Sequence, residues 1–272
     1  MGFDWSSLRE PAPAMLAEAR EVAHCALQWV TRAARANLRP APDDSHSALT
    51  WDAGLGALVS APLPKSIRVN LHLAALELDV THDGKAERLA LDGCTTSTVN
   101  DWLDLKLEAQ GLKAASAVAL PYEVAPQQLR HVPELAALAR WFAAADEVLE
   151  EVRGKTARIR PGPGPVRCWP HHFDIAVLVQ LERGAGESAR SIGVGVSPGD
   201  GYYPQPYAYI SPYPPPKDPK LPALPAAGRW HEKDFFAAVA TAEALLAQPD
   251  PRAALVAVID AAFEAERGWR RG

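Results

Sequence analysis

Two adjacent histidines and an aspartate, His171, His172 and Asp174, stand in the stretch RCWPHHFDIAVLVQL (residues 167–181). Imidazole and carboxylate are the side chains that bind borderline divalent metals and that move protons near neutral pH. The long apolar run that follows reads as a β-strand. Neighbours in a strand point to opposite faces, so His171 is expected on the side of Phe173, Ile175 and Val177. His172 is expected beside Asp174, about 6.5–7 Å along the strand. Three readings fit this spacing. His172 and Asp174 bind a divalent metal, with His171 or His231 completing the set; Asp174 orients a histidine that acts as a general base; or the polar groups satisfy one another in the core, since an unpaired buried polar group costs about 1–3 kcal/mol.

A second locus, SPGDGYYPQPYAY (197–209), follows the returning strand SIGVGV. Pro198, Gly199 and Gly201 permit a tight excursion with Asp200 at its tip. Tyr203, Tyr207 and Tyr209 follow, and with Trp169 they are candidate walls of a small-ligand pocket, offering apolar rings with polar tips. The strand from His172 starts where the returning strand stops, so the two loops are expected at one end of a hairpin. The candidate catalytic residues are therefore His172 and Asp174, and the candidate ligand-binding residues are Asp200, Tyr203, Tyr207, Tyr209 and Trp169. Phosphate-loop patterns, HExxH and GxSxG are absent from the chain.

The elements that must carry these residues read as α+β, mainly an antiparallel sheet packed against helices. Apolar residues recur at helical spacing over 12–37, with Arg20, Arg32 and Arg35 expected on the wet side. SIRVNLHL alternates as a strand, and the phase slip at Ala74–Ala75 predicts a bulge or break. Asp83-Gly84 marks a turn into ERLAL. A helix is expected over 97–110, capped by Ser97 or Thr98 and ended by Gly111, with Val99, Trp102, Leu103 and Leu107 facing inward. A third helix covers VPELAALARWFAAADEVLEEV. RIRPGPGPV (158–166) is a stiff connector and a sub-boundary in what reads as a single domain of residues 1–272. After the strands, ERGAGES is expected as a turn, and HEKDFFAAVATAEALLA and PRAALVAVIDAAFEAERGW as two C-terminal helices.

The chain has 272 residues and a formal net charge of −5, which disfavours a duplex nucleic-acid partner. Three scattered cysteines make no C-x-x-C pair and point to a reducing, cytoplasmic setting. The N-terminal residues lack the apolar core of a signal peptide, and MGFDWS meets only the loose myristoylation pattern. No apolar run reaches membrane-spanning length, so no membrane partner is expected. The expected function is binding of a small ligand or metal, extending to hydrolysis. The rival is an interaction scaffold that presents the proline-rich segment 204–225.

The run GKTARIRPGPGPVRCWPHHFDIAVL, followed by SIGVGVSPGDGYYPQPYAYISPYP, resembles a bacterial family of uncharacterised proteins, a domain of unknown function. Its marks are a W-x-x-x-F-D-x-A-V strand and an S-P-G-D loop. The resemblance covers roughly residues 100–235. It implies no activity, cofactor or substrate, but it directs attention to Trp169, Phe173, Asp174, Gly199 and Tyr207. Many members carry small residues where His171 and His172 stand here, which makes Asp174 the firmer candidate.

Overall fold

The computed structural model describes residues 2–184 and 189–269. In chain order the elements are α1 (Ala17–Asn37), β1 (Leu49–Asp52), β2 (Ala57–Ser60), β3 (Arg68–His72), β4 (Glu77–His82), β5 (Lys85–Ala90), α2 (Thr96–Glu108) and α3 (Glu134–Thr156). They continue with β6 (Gly162–Pro163), β7 (Arg167–Trp169), β8 (Asp174–Gln180), β9 (Ser191–Ser197), β10 (Tyr207–Tyr213), β11 (Arg229–His231), β12 (Ala237–Thr241), α4 (Ala242–Leu246) and α5 (Pro251–Gly268). The fold is α+β with antiparallel strand pairing, and it forms two compact units. The first comprises residues 15–143 and 167–173, the second residues 1–14, 144–166 and 174–272.

In the first unit the strands run β7-β1-β2-β3-β4-β5. Leu49, Trp51, Leu58, Val69, Leu71, Leu78 and Val80 share one sheet face and are buried. Helix α1 packs against β2 and β3. The phase slip after β3 is a break, a hairpin turn: Leu76 N–H donates to the Leu73 carbonyl (3.2 Å) and Leu76 takes φ 50°. The following hairpin turns at Asp83 (φ 50°) and Gly84 (φ 73°), the left-handed pair that matches strand twist. Thr95, two residues before Ser97 and three before Thr98, caps α2 by accepting the Thr98 amide at 3.1 Å. Val99, Leu103 and Leu107 are buried beneath it, while Trp102 is only half-buried.

The wet side expected for α1 is largely covered. Tyr122 reaches Gln28, and Asn37 exchanges hydrogen bonds with the backbone of Lys113 (2.8 and 3.0 Å). Arg20, Arg32 and Arg35 are half-buried rather than solvated. Helical periodicity reports the stripe that faces the sheet. It is blind to an irregular segment laid across the other side.

In the second unit the strands run β11-β12-β10-β9-β8-β6. One face carries Ile175, Val177, Val179, Ile192, Val194, Ile210, Ala238 and Ala240, all buried or nearly so. Helix α5 packs on β9, β10 and β12. Asp250 caps α5 by accepting the Ala253 amide (2.9 Å), and Pro251 begins it. The expected helix over 231–247 is corrected. His231 ends β11, Ala237–Thr241 form β12, and only Ala242–Leu246 are helical. Alanine content favours a helix locally, but the Tyr207–Ile210 edge offers backbone partners in register with Ala238–Thr241. The expected ERGAGES turn lies partly outside the described residues.

Candidate functional site

The chain passes from the first unit to the second between Phe173 and Asp174, inside the HHFD stretch. Strand β8 begins at Asp174, not upstream of the histidines, so the strand alternation expected for His171 and His172 does not apply. Residues 169–173 form a tight turn in which Phe173 N–H donates to the Trp169 carbonyl at 2.7 Å. Phe173 sits at φ 59°, the left-handed region that bulky side chains avoid. Its ring is 1% exposed and is held between His24 (5.2 Å, parallel) and Phe142 (5.2 Å). Burial of that ring fixes the turn and leaves His171 and His172 at its tip, their rings 4.2 Å apart.

Around this turn the first unit gathers residues that sequence spacing passed over. His24 Nε2 lies 2.8 Å from the Pro170 carbonyl, and Gln28 Nε2 donates to the same oxygen at 3.1 Å and to the His24 carbonyl at 3.0 Å. Tyr122 donates from its hydroxyl to Gln28 Oε1 (3.0 Å), and its ring lies 5.9 Å from that of His171; Trp169 lies 6.2 Å from it. Burial, and next the charge of Arg20 and of His172, outweigh the carbonyl contact and hold His24 below the usual imidazole range. Partial burial and neighbouring His172 do the same for His171. Burial pushes the Tyr122 phenol up to about 12.

Beside this cluster is a cleft of about 520 Å³. Cys25, Gln28, Trp29 and Arg32 of α1 line it at i, i+3, i+4 and i+7, the repeat that places four residues on one helical face. Tyr122 and Val124 form another part of the wall. Trp29 is buried and donates from Nε1 to Asn100 of α2 at 2.8 Å. The signal for this face was a polar stripe on an otherwise apolar helix. In sequence it could not be told from a solvated one.

The second unit brings together Asp174, Asp200, Tyr203, Tyr207, Tyr209 and His231. Asp174, Tyr207 and Tyr209 share one sheet face, with Ser197 paired to Tyr207 and Gly195 paired to Tyr209. The Tyr209 hydroxyl donates to Asp174, and the Tyr207 hydroxyl to Asp200 Oδ2 (2.6 Å). Asp200 Oδ1 accepts the amides of Tyr202 (2.8 Å) and Tyr203 (3.1 Å), which closes the loop expected there. His231 Nε2 faces the Lys233 carbonyl at 2.6 Å, so it carries the proton and Nδ1 accepts from the Tyr203 hydroxyl at 2.7 Å. Burial first, then the neighbouring carboxylates, push the phenols of Tyr207 and Tyr209 far above the ordinary tyrosine range. Each of the three tyrosine hydroxyls therefore has its own acceptor: Asp174 for Tyr209, Asp200 for Tyr207 and His231 for Tyr203.

His171 and His172 belong to the first unit, whereas Asp174 and His231 belong to the second and hold tyrosine hydroxyls. Among the described residues no group of three or more His, Cys, Asp or Glu side chains is placed to hold a metal ion. A further polar cluster, unread in the sequence, surrounds buried Asp79 of β4, which accepts from Asn70 (2.7 Å) and Thr81 (2.9 Å) and meets His72 Nε2 at 2.5 Å. Among the described residues no helix is long and apolar enough to cross a membrane. Compared with protein-family models, curated proteins and solved structures, the chain matches none.

Proposed function

We propose that this chain binds a small organic molecule in the cleft beside α1. The observation that supports this reading is the fixed state of the cleft's polar and aromatic walls. Trp29 is held by Asn100, and Tyr122 is held by Gln28, whose amide is itself tied to two backbone carbonyls. Walls immobilised in the free protein cost little further ordering when a ligand enters. A volume of about 520 Å³ lies within the usual range of small-molecule sites. Tyr122 acts here as a wall and a hydrogen-bonding group. With its proton given to Gln28 and its phenol pushed up to about 12, it is not a base at neutral pH. Cys25, Cys94 and Cys168 are all free thiols, which suits a reducing, cytoplasmic setting.

Ligand-observed NMR with a mixed fragment library tests this, run on the parent chain and on Cys25→Phe, whose ring would fill the cleft from α1. Hits that bind the parent and are lost in Cys25→Phe, at unchanged melting temperature, are the expected result. Hits that persist equally in the filled variant would remove the cleft as the site.

A further inference from the structure

We propose that the ligand of this cleft is a monocarboxylate carried on an apolar or aromatic body, and that Arg32 is the residue that receives its carboxylate. The inference rests on the small-molecule reading above and adds the charge of the ligand to it.

Arg20 is paired with Glu21 (3.4 Å) and Arg35 with Asp44 (3.0 Å). Arg32 is half-buried between them in sequence, lines the cleft, and forms no ion pair among the described residues. Its Nε is buried and has no hydrogen-bond partner, as is true of Arg20 Nη1 and Arg35 Nε, but Arg32 alone of the three lacks a carboxylate among the described residues. A guanidinium is always charged, and a buried Nε without an acceptor is unfavourable. Such a group is therefore a ready receptor for an anion, and its planar fork suits the two oxygens of a carboxylate.

The rest of the lining sets the remainder of the ligand. Trp29, Tyr122 and Val124 supply apolar surface, so the anion is the head of a larger apolar molecule. Arg32 is the cation of this lining, and Glu123 lies at its rim with the opposite charge. A single positive charge beside a carboxylate matches a monoanion better than a phosphate dianion, which ordinarily draws on several donors or a helix N-terminus.

The test uses matched pairs: 3-phenylpropionate and octanoate, each beside its primary amide, titrated into the full chain and into Arg32→Gln and Arg32→Lys. The acids are expected to bind the parent about 10- to 100-fold tighter than the amides, the range a charge-assisted hydrogen-bond pair supplies. In Arg32→Gln that preference disappears, and Arg32→Lys retains part of it. The acids should raise the melting temperature of the parent and not of Arg32→Gln. Acids and amides that bind alike, with Arg32→Gln indifferent, would overturn the carboxylate and leave the small-molecule reading in place. If neither class binds the parent and the fragment hits ignore the Cys25→Phe filling, both readings fall.

Discussion

The Tyr209 phenol lies across Gly195 to reach the Asp174 carboxylate on the next strand but one. The crossing depends on a missing side chain. A Cβ at Gly195 would stand 2.8 Å from Tyr209 Cε1 and closer still to the end of the ring. Gly195→Ala is therefore expected to destabilise the chain by about 1–3 kcal/mol, the usual cost of forcing extra volume into a packed site. Tyr209→Phe keeps the ring and removes the donor to Asp174, with a loss of about 1–3 kcal/mol. Urea unfolding of both variants checks this, and a parent-like midpoint for Gly195→Ala would mean that the ring does not occupy that crossing.

Acid should weaken the first unit through His24. The unfolded chain takes up a proton at the ordinary imidazole value of 6.5, while folded His24 does so only at lower pH. Between those two values the unfolded state binds more protons, so stability rises with pH there and is lost as the solution is acidified. His171 adds to the same slope. His24→Gln preserves a donor toward the Pro170 carbonyl and does not titrate. The parent's urea midpoint should fall more between pH 7.5 and 5.5 than the variant's. Parallel falls would show that His24 is not the source.

Glu266 of α5 produces the opposite slope. It is 1% exposed, neither carboxyl oxygen has a hydrogen-bond partner, and burial pushes its carboxyl up to about 9. From the ordinary carboxyl value of 4.5 up to that point the folded state holds a proton that the unfolded state has released. Stability therefore declines as pH rises through this window. Glu266→Leu removes the group and should be more stable than the parent by about 1–3 kcal/mol at pH 8, with a smaller gap near pH 4.5. Chemical denaturation at the two pH values measures the difference. A gap that does not grow with pH would show that Glu266 is not the titrating group.

Metal content distinguishes the partnered arrangement from the ligand set expected in the sequence. Asp174 and His231 already hold tyrosine hydroxyls, and His231 Nε2 is given to a carbonyl. Untagged protein analysed by elemental mass spectrometry should carry no stoichiometric divalent metal, before or after supplementation. Stoichiometric metal that is lost in His172→Ala would restore HHFD as a ligand set.

Much of the fold was legible because it depends on short-range rules. The apolar stripes of α1 and α5, the alternation in β3 and β4, and the Asp83-Gly84 turn are each specified by residues a few positions apart. The same rules misread Ala237–Thr241. Alanine favours a helix in isolation, and the hydrogen-bonding edge of β10, some thirty residues upstream, decided for a strand.

The sequence by itself determined that an aspartate, a glycine-bearing loop and a row of tyrosines would meet: strand parity puts Asp174, Tyr207 and Tyr209 on one side once β8, β9 and β10 pair. Tertiary structure alone decided that these residues satisfy one another, because a hydroxyl's partner depends on approach across strands and on the bare position at Gly195. It also decided that His24 joins His171 and His172, about 150 residues apart in the chain, through a turn fixed by one buried phenylalanine. Arg32 shows the limit most plainly. Its spacing on α1 is that of any solvated arginine, and only the chain segment around Tyr122 turns that side of the helix into the wall of a cleft.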